Sequence, residues 1–521
     1  MRKKAQKLAV AAVMLSIAAF FYIIQQPNKY RVEDILAAYM EHGDYNDITI
    51  EYPLDETLFP PEMVPPVYRW NDGVTASRSW LIRFEFSDGK PCMNFMAQRQ
   101  EWTPKPEDWE KIKHRSLEQV AKIVILGVGS GEHVRVLSRA SMSFKTSKDP
   151  VGAPLFYREV NLPFLDADKD LSGIRWRFGS INSPKPPIVL KNLPVCGNCH
   201  SFSRDGSMLA MDVDYASNKG SYVITEVKEQ IVLATKDIIT WADHEKTEQA
   251  NGLLSQISPD GRYVISTVKD ISVFVPKPEL AFSQLFFPVK GMLCVFHRET
   301  GRFQELPGAD DPEFVQSNPV WSPDGKYIVF ARAKGPDLRN TKHQGSVWLT
   351  PAESQEFIAA DEPFLFDLYR IPFNDGAGGK PEPVKGASNN GMSNFFARYS
   401  PDGRWIVFCK AKSYMLLQPD SELYIIPAEG GNARRLRCNT SRMNSWHSWS
   451  PNGKWLVFSS KAYSDYTQLC LTHIDEDGYS TPAVLLSHLT APDRAANIPE
   501  FVNTQPGAII RINEQFLKTN K

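Results

Sequence analysis

Five consecutive residues carry the clearest chemistry in this 521-residue chain: Cys196, Gly197, Asn198, Cys199 and His200. Two residues between the thiols let both sulfurs reach the two vinyl groups on one edge of a haem. The adjacent imidazole then falls beneath the iron as proximal ligand. The pattern predicts one covalent haem c, anchored by Cys196 and Cys199 and ligated by His200. Three rival readings use the same residues. A redox disulfide of the thioredoxin kind belongs in a βαβ context, and none is visible. A structural zinc site would want a second CxxC or a His pair at matched spacing, and none is found. A plain structural disulfide is the strongest rival. Spacing does not fix a sixth iron ligand. His447, in NSWHSWS, and Met415, in KSYMLLQPDSELY, are candidates because both fall at loops. Each has an ordinary packing role as its competing reading.

The elements that must position this motif form a repeat. It runs SRDGSMLAMD from Ser203, SPDGRYVIST from Ser258, SPDGKYIVFAR from Ser322, SPDGRWIVFCK from Ser400 and SPNGKWLVFSS from Ser450, at spacings of 55, 64, 78 and 50 residues. Pro presets φ, and Asp or Asn before Gly makes a tight turn. A strand follows at once, as in Tyr327–Phe330. Second strands follow in DLYRIPF, ELYIIPA and QLCLTHI, and a short third strand closes the unit. Strand–turn–strand units at this period predict four-stranded propeller blades. The turn Asp residues read as folding elements, not as catalytic groups. Inserts near 268–293 and 335–365 are expected to be surface loops.

These repeats resemble the WD-like repeat of TolB-type propellers, over about 180–512. The resemblance implies six blades. The segment 508–513 is expected to pair with strands in 174–193 and close the ring, which removes open edges. NIPEFVN, at 497–503, resembles the strand that precedes SPDG elsewhere. Some exported TolB-like propellers carry CxxCH just before this turn, so the resemblance also implies a cytochrome-like role, with the haem pocket built from propeller loops.

Ahead of the repeats, ITIEYPLDETLFPP, SWLIRFEFSDG and KIVILGV read as strands, and WTPKPEDWEKIKHRSLEQ as a short helical insert. The pattern fits an immunoglobulin- or fibronectin-like sandwich. FKTSKDPVGAPLFYREVNLPF resembles the junction found where such a module precedes a TolB-like propeller. Trp70, Trp80, Trp102 and Trp109 either fill this module or form a sugar platform. At the very start, Arg2, Lys3, Lys4 and Lys7 precede an apolar run from Leu8 to Ile24. That is an export signal, read here as an uncleaved anchor. The fold class is thus all-β: a transmembrane anchor at 1–27, a β-sandwich at 28–170 and a six-bladed propeller at 171–521.

Composition limits the functions. The net charge of −1 gives no basic footprint for nucleic acid. Seven cysteines, an odd and sparse set, argue against a disulfide framework, and Cys294 and Cys409 read as buried inert thiols. The run Gly127, Val128, Gly129, Ser130, Gly131 lacks the G-x-S-x-G spacing of a hydrolase elbow. The expected setting is the cell envelope, membrane-anchored with the bulk in the periplasm, or exported if the N-terminus is cleaved. The first functional expectation is electron transfer or redox sensing with a redox partner. The second is a haem-free propeller that binds an envelope protein or glycan. The third is a polysaccharide-active enzyme.

Overall fold

The computed structural model describes residues 30–515 apart from 130–132, 164–166, 168, 194–196, 216–217, 245–249, 278, 283 and 337–362. The expected anchor at 1–27, Cys196, Ser130 and most of the 335–365 insert lie outside the described residues. Among the described residues no helix is long and apolar enough to cross a membrane. The chain divides into two compact units, one reaching to Glu56 and resuming at Val67–Thr146, the other built from Thr57–Pro66 and everything from Ser147 onward.

Strands of the first unit follow one hydrogen-bonded path: Met93–Ala97, Ser77–Glu85, Ala121–Gly129, Arg135–Thr146, Asn46–Tyr52, Tyr68–Asp72 and Glu101–Trp102. One strand joins two sets of strands along this path. That strand is Asn46–Tyr52. Its first two residues pair parallel with Ser138 and Arg139, and its remainder pairs antiparallel with the strand Tyr68–Asp72, with a bulge between Ile50 and Tyr52. The tryptophans fill this unit. Trp70, Trp80 and Trp109 are buried, and half-buried Trp102 packs 4.8 Å from Phe95. Trp80 Nε1 donates to the buried Asp72 carboxylate at 2.9 Å, so these rings are core and not a sugar platform.

The second unit is a propeller of six four-stranded blades, the third and fourth joined into one eight-stranded sheet by a parallel bridge between Gly291 and Val315. Leu155–Val160, Arg175–Gly179 and Ile188–Lys191 belong to the first, so its strands begin ahead of residue 171. The second blade is Gly197–Phe202, Met208–Val213, Ser221–Glu226 and Ile238–Thr240. The third runs Gln256–Ile257, Tyr263–Pro276, Gln284–His297, Arg302–Glu305, and the fourth Phe314–Trp321, Tyr327–Lys334, Asp367–Pro372, Glu382–Pro383. The fifth spans Ser393–Tyr399 to Arg434–Arg435, and the sixth Asn444–Trp449 to Val484–Leu485.

Ring closure differs from expectation. The innermost strand of the first blade is Ala495–Phe501, antiparallel to Leu155–Val160. Arg511–Gln515 instead pairs parallel with Gln230–Ala234. Burial explains the choice. All six residues of Leu155–Val160 are buried and need a partner on each side, which the buried Ala495–Phe501 supplies. Arg511–Gln515 has one buried residue and suits an edge. The 268–293 insert also departs from expectation. It is largely a long hairpin, because β-branched and aromatic residues continue on both sides of its turn. Its turn reaches the sixth blade, where Lys461 Nζ donates to the carbonyls of Leu280 and Ala281 at 2.6 and 3.1 Å.

Each repeat turn is locked in the same way. Ser258 Oγ donates to Asp260 at 2.6 Å and accepts from the Tyr263 amide at 2.9 Å, while Gly261 takes φ +72°. Ser203–Asp205, Ser322–Asp324, Ser400–Asp402 and Ser450–Asn452 repeat the bond. The acidic residues are therefore turn acceptors, held below the usual carboxylate range at Asp205 by the Ser203 hydroxyl.

Candidate functional site in the central channel

The innermost strand precedes the repeat turn in five of the blades, and in every blade but the third its pairing carries a bulge. Registers shift between Gly197 and His200, Ser317 and Val320, Phe395 and Arg398, Ser445 and Ser448, and Asn497 and Glu500. At four of these bulges the same position has left-handed backbone: Asn318, Phe396, Trp446 and Ile498, with φ of 53°, 51°, 49° and 52°. A bulge re-aims the side chains that follow it. Here the residues two before the turn, Gln256, Val320, Arg398, Ser448 and Glu500, line a central cavity of about 330 Å³ to which all six blades contribute. The volume lies at the lower end of the roughly 300–1,000 Å³ typical of small-ligand sites.

His200 lines this cavity and is 1 % exposed. Its ring meets Phe156 edge-on at 4.7 Å, and Phe202 lies 6.3 Å away. Neither ring nitrogen makes a well-formed hydrogen bond. The nearest polar groups are the Phe156 and Ile498 carbonyls and the Glu500 carboxylate, 4.0 Å from Nε2. Burial pushes the imidazole down to about 3, so it is neutral at physiological pH.

Cys199 is a free, buried thiol that does not line the cavity. Its amide donates to Asp212 Oδ2 at 3.2 Å. Burial raises both the thiol and the Asp212 carboxyl above their ordinary ranges. The two described members of the motif are therefore placed unequally: His200 offers an unbonded imidazole to the cavity, whereas Cys199 packs away from it. Cys294 and Cys409 are fully buried thiols pushed up to about 12 by burial, as expected of inert core cysteines.

Of the two candidates for a sixth iron ligand, His447 lines the same cavity as His200 and Met415 does not. His447 is committed elsewhere: Nε2 lies 2.9 Å from the Val407 carbonyl and Nδ1 3.9 Å from Cys409 Sγ. Met415 is fully buried in a loop with left-handed backbone at Tyr414, Leu416 and Leu417.

Sequence reasoning missed the charged lining. Arg398 makes one side-chain hydrogen bond, from its guanidinium to the Ala397 carbonyl at 3.2 Å, and pairs with no carboxylate within 4 Å among the described residues. Glu500 accepts from the Phe202 amide at 3.1 Å, and burial pushes its carboxyl up to about 7 despite the positive field of Arg398. Arg204, which takes the place of proline in the first repeat turn, donates to the carbonyls of Pro323 and Pro401 at 3.1 and 3.2 Å. It thereby ties the turns of the second, fourth and fifth blades together at one end of the cavity. Aligning the repeats on their turn serines would have marked all the channel-lining positions at once.

No known protein family matches the chain. No curated protein matches it either. Several solved structures are similar at low identity. A Kuenenia stuttgartiensis hydrazine synthase shares 13 % identity over 58 % of this chain and 71 % of its own, with a TM-score of 0.32. A putative 6-phosphogluconolactonase from Bacteroides uniformis shares 10 % over 67 % and 100 %, TM-score 0.35. The Cps50 (Swd1) β-propeller domain of Myceliophteria thermophila shares 10 % over 60 % and 80 %, TM-score 0.33. Likenesses this loose carry nothing about the site; the propeller rests on the strand pairing itself.

Proposed function

We propose that this protein is an envelope propeller, anchored by its N-terminal segment, that carries one covalent c-type haem for electron transfer or redox sensing. Cys196 and Cys199 would hold the haem through thioethers, and His200 would be the proximal iron ligand. Its partner would be an envelope redox protein. The observation that supports this reading most is the His200 ring, buried at the cavity wall with both nitrogens unbonded. Buried polar groups are nearly always hydrogen-bonded, so an imidazole within a CxxCH motif that makes no well-formed hydrogen bond supports a ligating role. The nearby Phe156 and Ile498 carbonyls suit the second requirement of a ligating histidine, an acceptor for its other ring nitrogen. When bound, the haem would supply one-electron chemistry and, with an open sixth position, small-ligand binding.

A second reading, a haem-free binding propeller, is favoured by one specific observation: Cys199 packs against Asp212 and away from the cavity. The two separate on one experiment. The full chain is exported in a host with a haem-attachment system, and a reduced-minus-oxidised spectrum is recorded on the denatured protein beside a Cys196→Ala/Cys199→Ala control. A c-type band that survives denaturation and vanishes in the control supports the haem. A colourless protein leaves the binding propeller.

A further inference from the structure

We infer that the central cavity is a binding site for a small organic carboxylate, with the Arg398 guanidinium as its anchor. The inference goes beyond the haem reading and does not depend on it. Three observations carry it. First, Arg398 projects into the cavity from the bulged inner strand of the fifth blade and meets no carboxylate within 4 Å among the described residues, although Glu500 lines the same space. An arginine stays charged wherever it is buried, and its planar fork matches a carboxylate bidentately. Second, little else in the cavity offsets that charge. Glu500 is the single carboxylate among the lining residues, and it already accepts from the Phe202 amide at 3.1 Å. The other cavity arginine, Arg204, is already engaged with two carbonyls. With two arginines and one carboxylate among its lining side chains, the site carries net positive charge, which favours an anion. Third, the remaining wall is partly aromatic, beside the polar side chains of Gln256, Ser448 and Asn503. Trp446 and Phe396 pack at 4.4 Å between ring centroids beside the site, so the favoured ligand has an apolar body and one anionic end.

Isothermal titration of the full-length Cys196→Ala/Cys199→Ala protein tests the proposal, since that variant carries no covalent haem on either reading of the motif. Benzoate is the probe, and the isosteric, neutral benzamide is the comparison. Saturable benzoate binding is expected at least about tenfold tighter than benzamide, and lost by at least about tenfold in Arg398→Gln. The benzamide comparison, made on the unaltered cavity, keeps the test decisive if Arg398→Gln folds poorly. Equal binding of benzoate and benzamide, benzoate binding undiminished in a folded Arg398→Gln protein, or no saturable benzoate binding would overturn the assignment.

Discussion

His200 and His447 occupy the same place in two blades, three residues before the turn serines Ser203 and Ser450, and both are buried neutral imidazoles on the wall of one cavity. Their environments differ. His447 braces the sixth blade against the fifth through the Val407 carbonyl and Cys409. His200 sits among Phe156 and Phe202 with neither nitrogen bonded. Position in a repeat thus fixes where a side chain points, while the neighbouring blade decides whether it is structural. His200 is thus the less engaged of the two imidazoles.

The widest gap between the two histidines should open in stability. His447→Phe removes a buried bond and leaves the Val407 carbonyl without that donor, at a cost of about 2–4 kcal/mol. His200→Phe removes two unbonded nitrogens from an aromatic nest and should change stability by less than about 1 kcal/mol. Urea midpoints measure both, and equal losses would break the comparison.

Acidification gives the next largest effect. Both histidines are held at about 3 when folded, well below their unfolded value. The unfolded chain therefore takes up their protons first as pH falls. Their contribution is complete above about pH 6.5 and is lost progressively toward pH 3. His200→Phe should make this acid slope shallower by about one proton. Glu500 acts in the opposite sense: its raised folded value makes its contribution complete below its ordinary range and lost as pH rises through about 7.

The repeat turns test whether the scaffold is as uniform as the histidines are not. Ser400→Ala loses the Asp402 bond and the acceptor for the Trp405 amide, and should cost about 1–2 kcal/mol in thermal melts. Asp402→Asn should be nearly silent, since Asn452 makes the same bond in the last repeat. Smallest of all, Arg204→Ala should cost less than about 1 kcal/mol, because its two bonds are to carbonyls at an exposed rim.

Much of the scaffold was legible because its signals are local. A Ser-Pro-Asp-Gly turn locks itself with its own serine, so five copies predict five blades without reference to one another. Ring closure was not local. It joins Ala495–Phe501 to Leu155–Val160, and nothing near either strand names its partner; only their shared burial does. The 268–293 segment was misread for a related reason, since its length argued for a loop while its β-branched run argued for a hairpin. At the site, the CxxCH spacing marked His200, but the orientation of Cys199 depends on a bulge that spacing does not encode. Arg398 and Glu500 were invisible as a pair because they lie about a hundred positions apart and meet only when the fifth and first blades face one channel.

The decisive measurement is the mass of the tryptic peptide Asn192–Arg204 from the full chain exported beside a haem-attachment system. The peptide is predicted to carry one haem bonded through both Cys196 and Cys199. An unmodified peptide with two free or disulfide-linked thiols, from protein otherwise folded, would contradict the haem assignment.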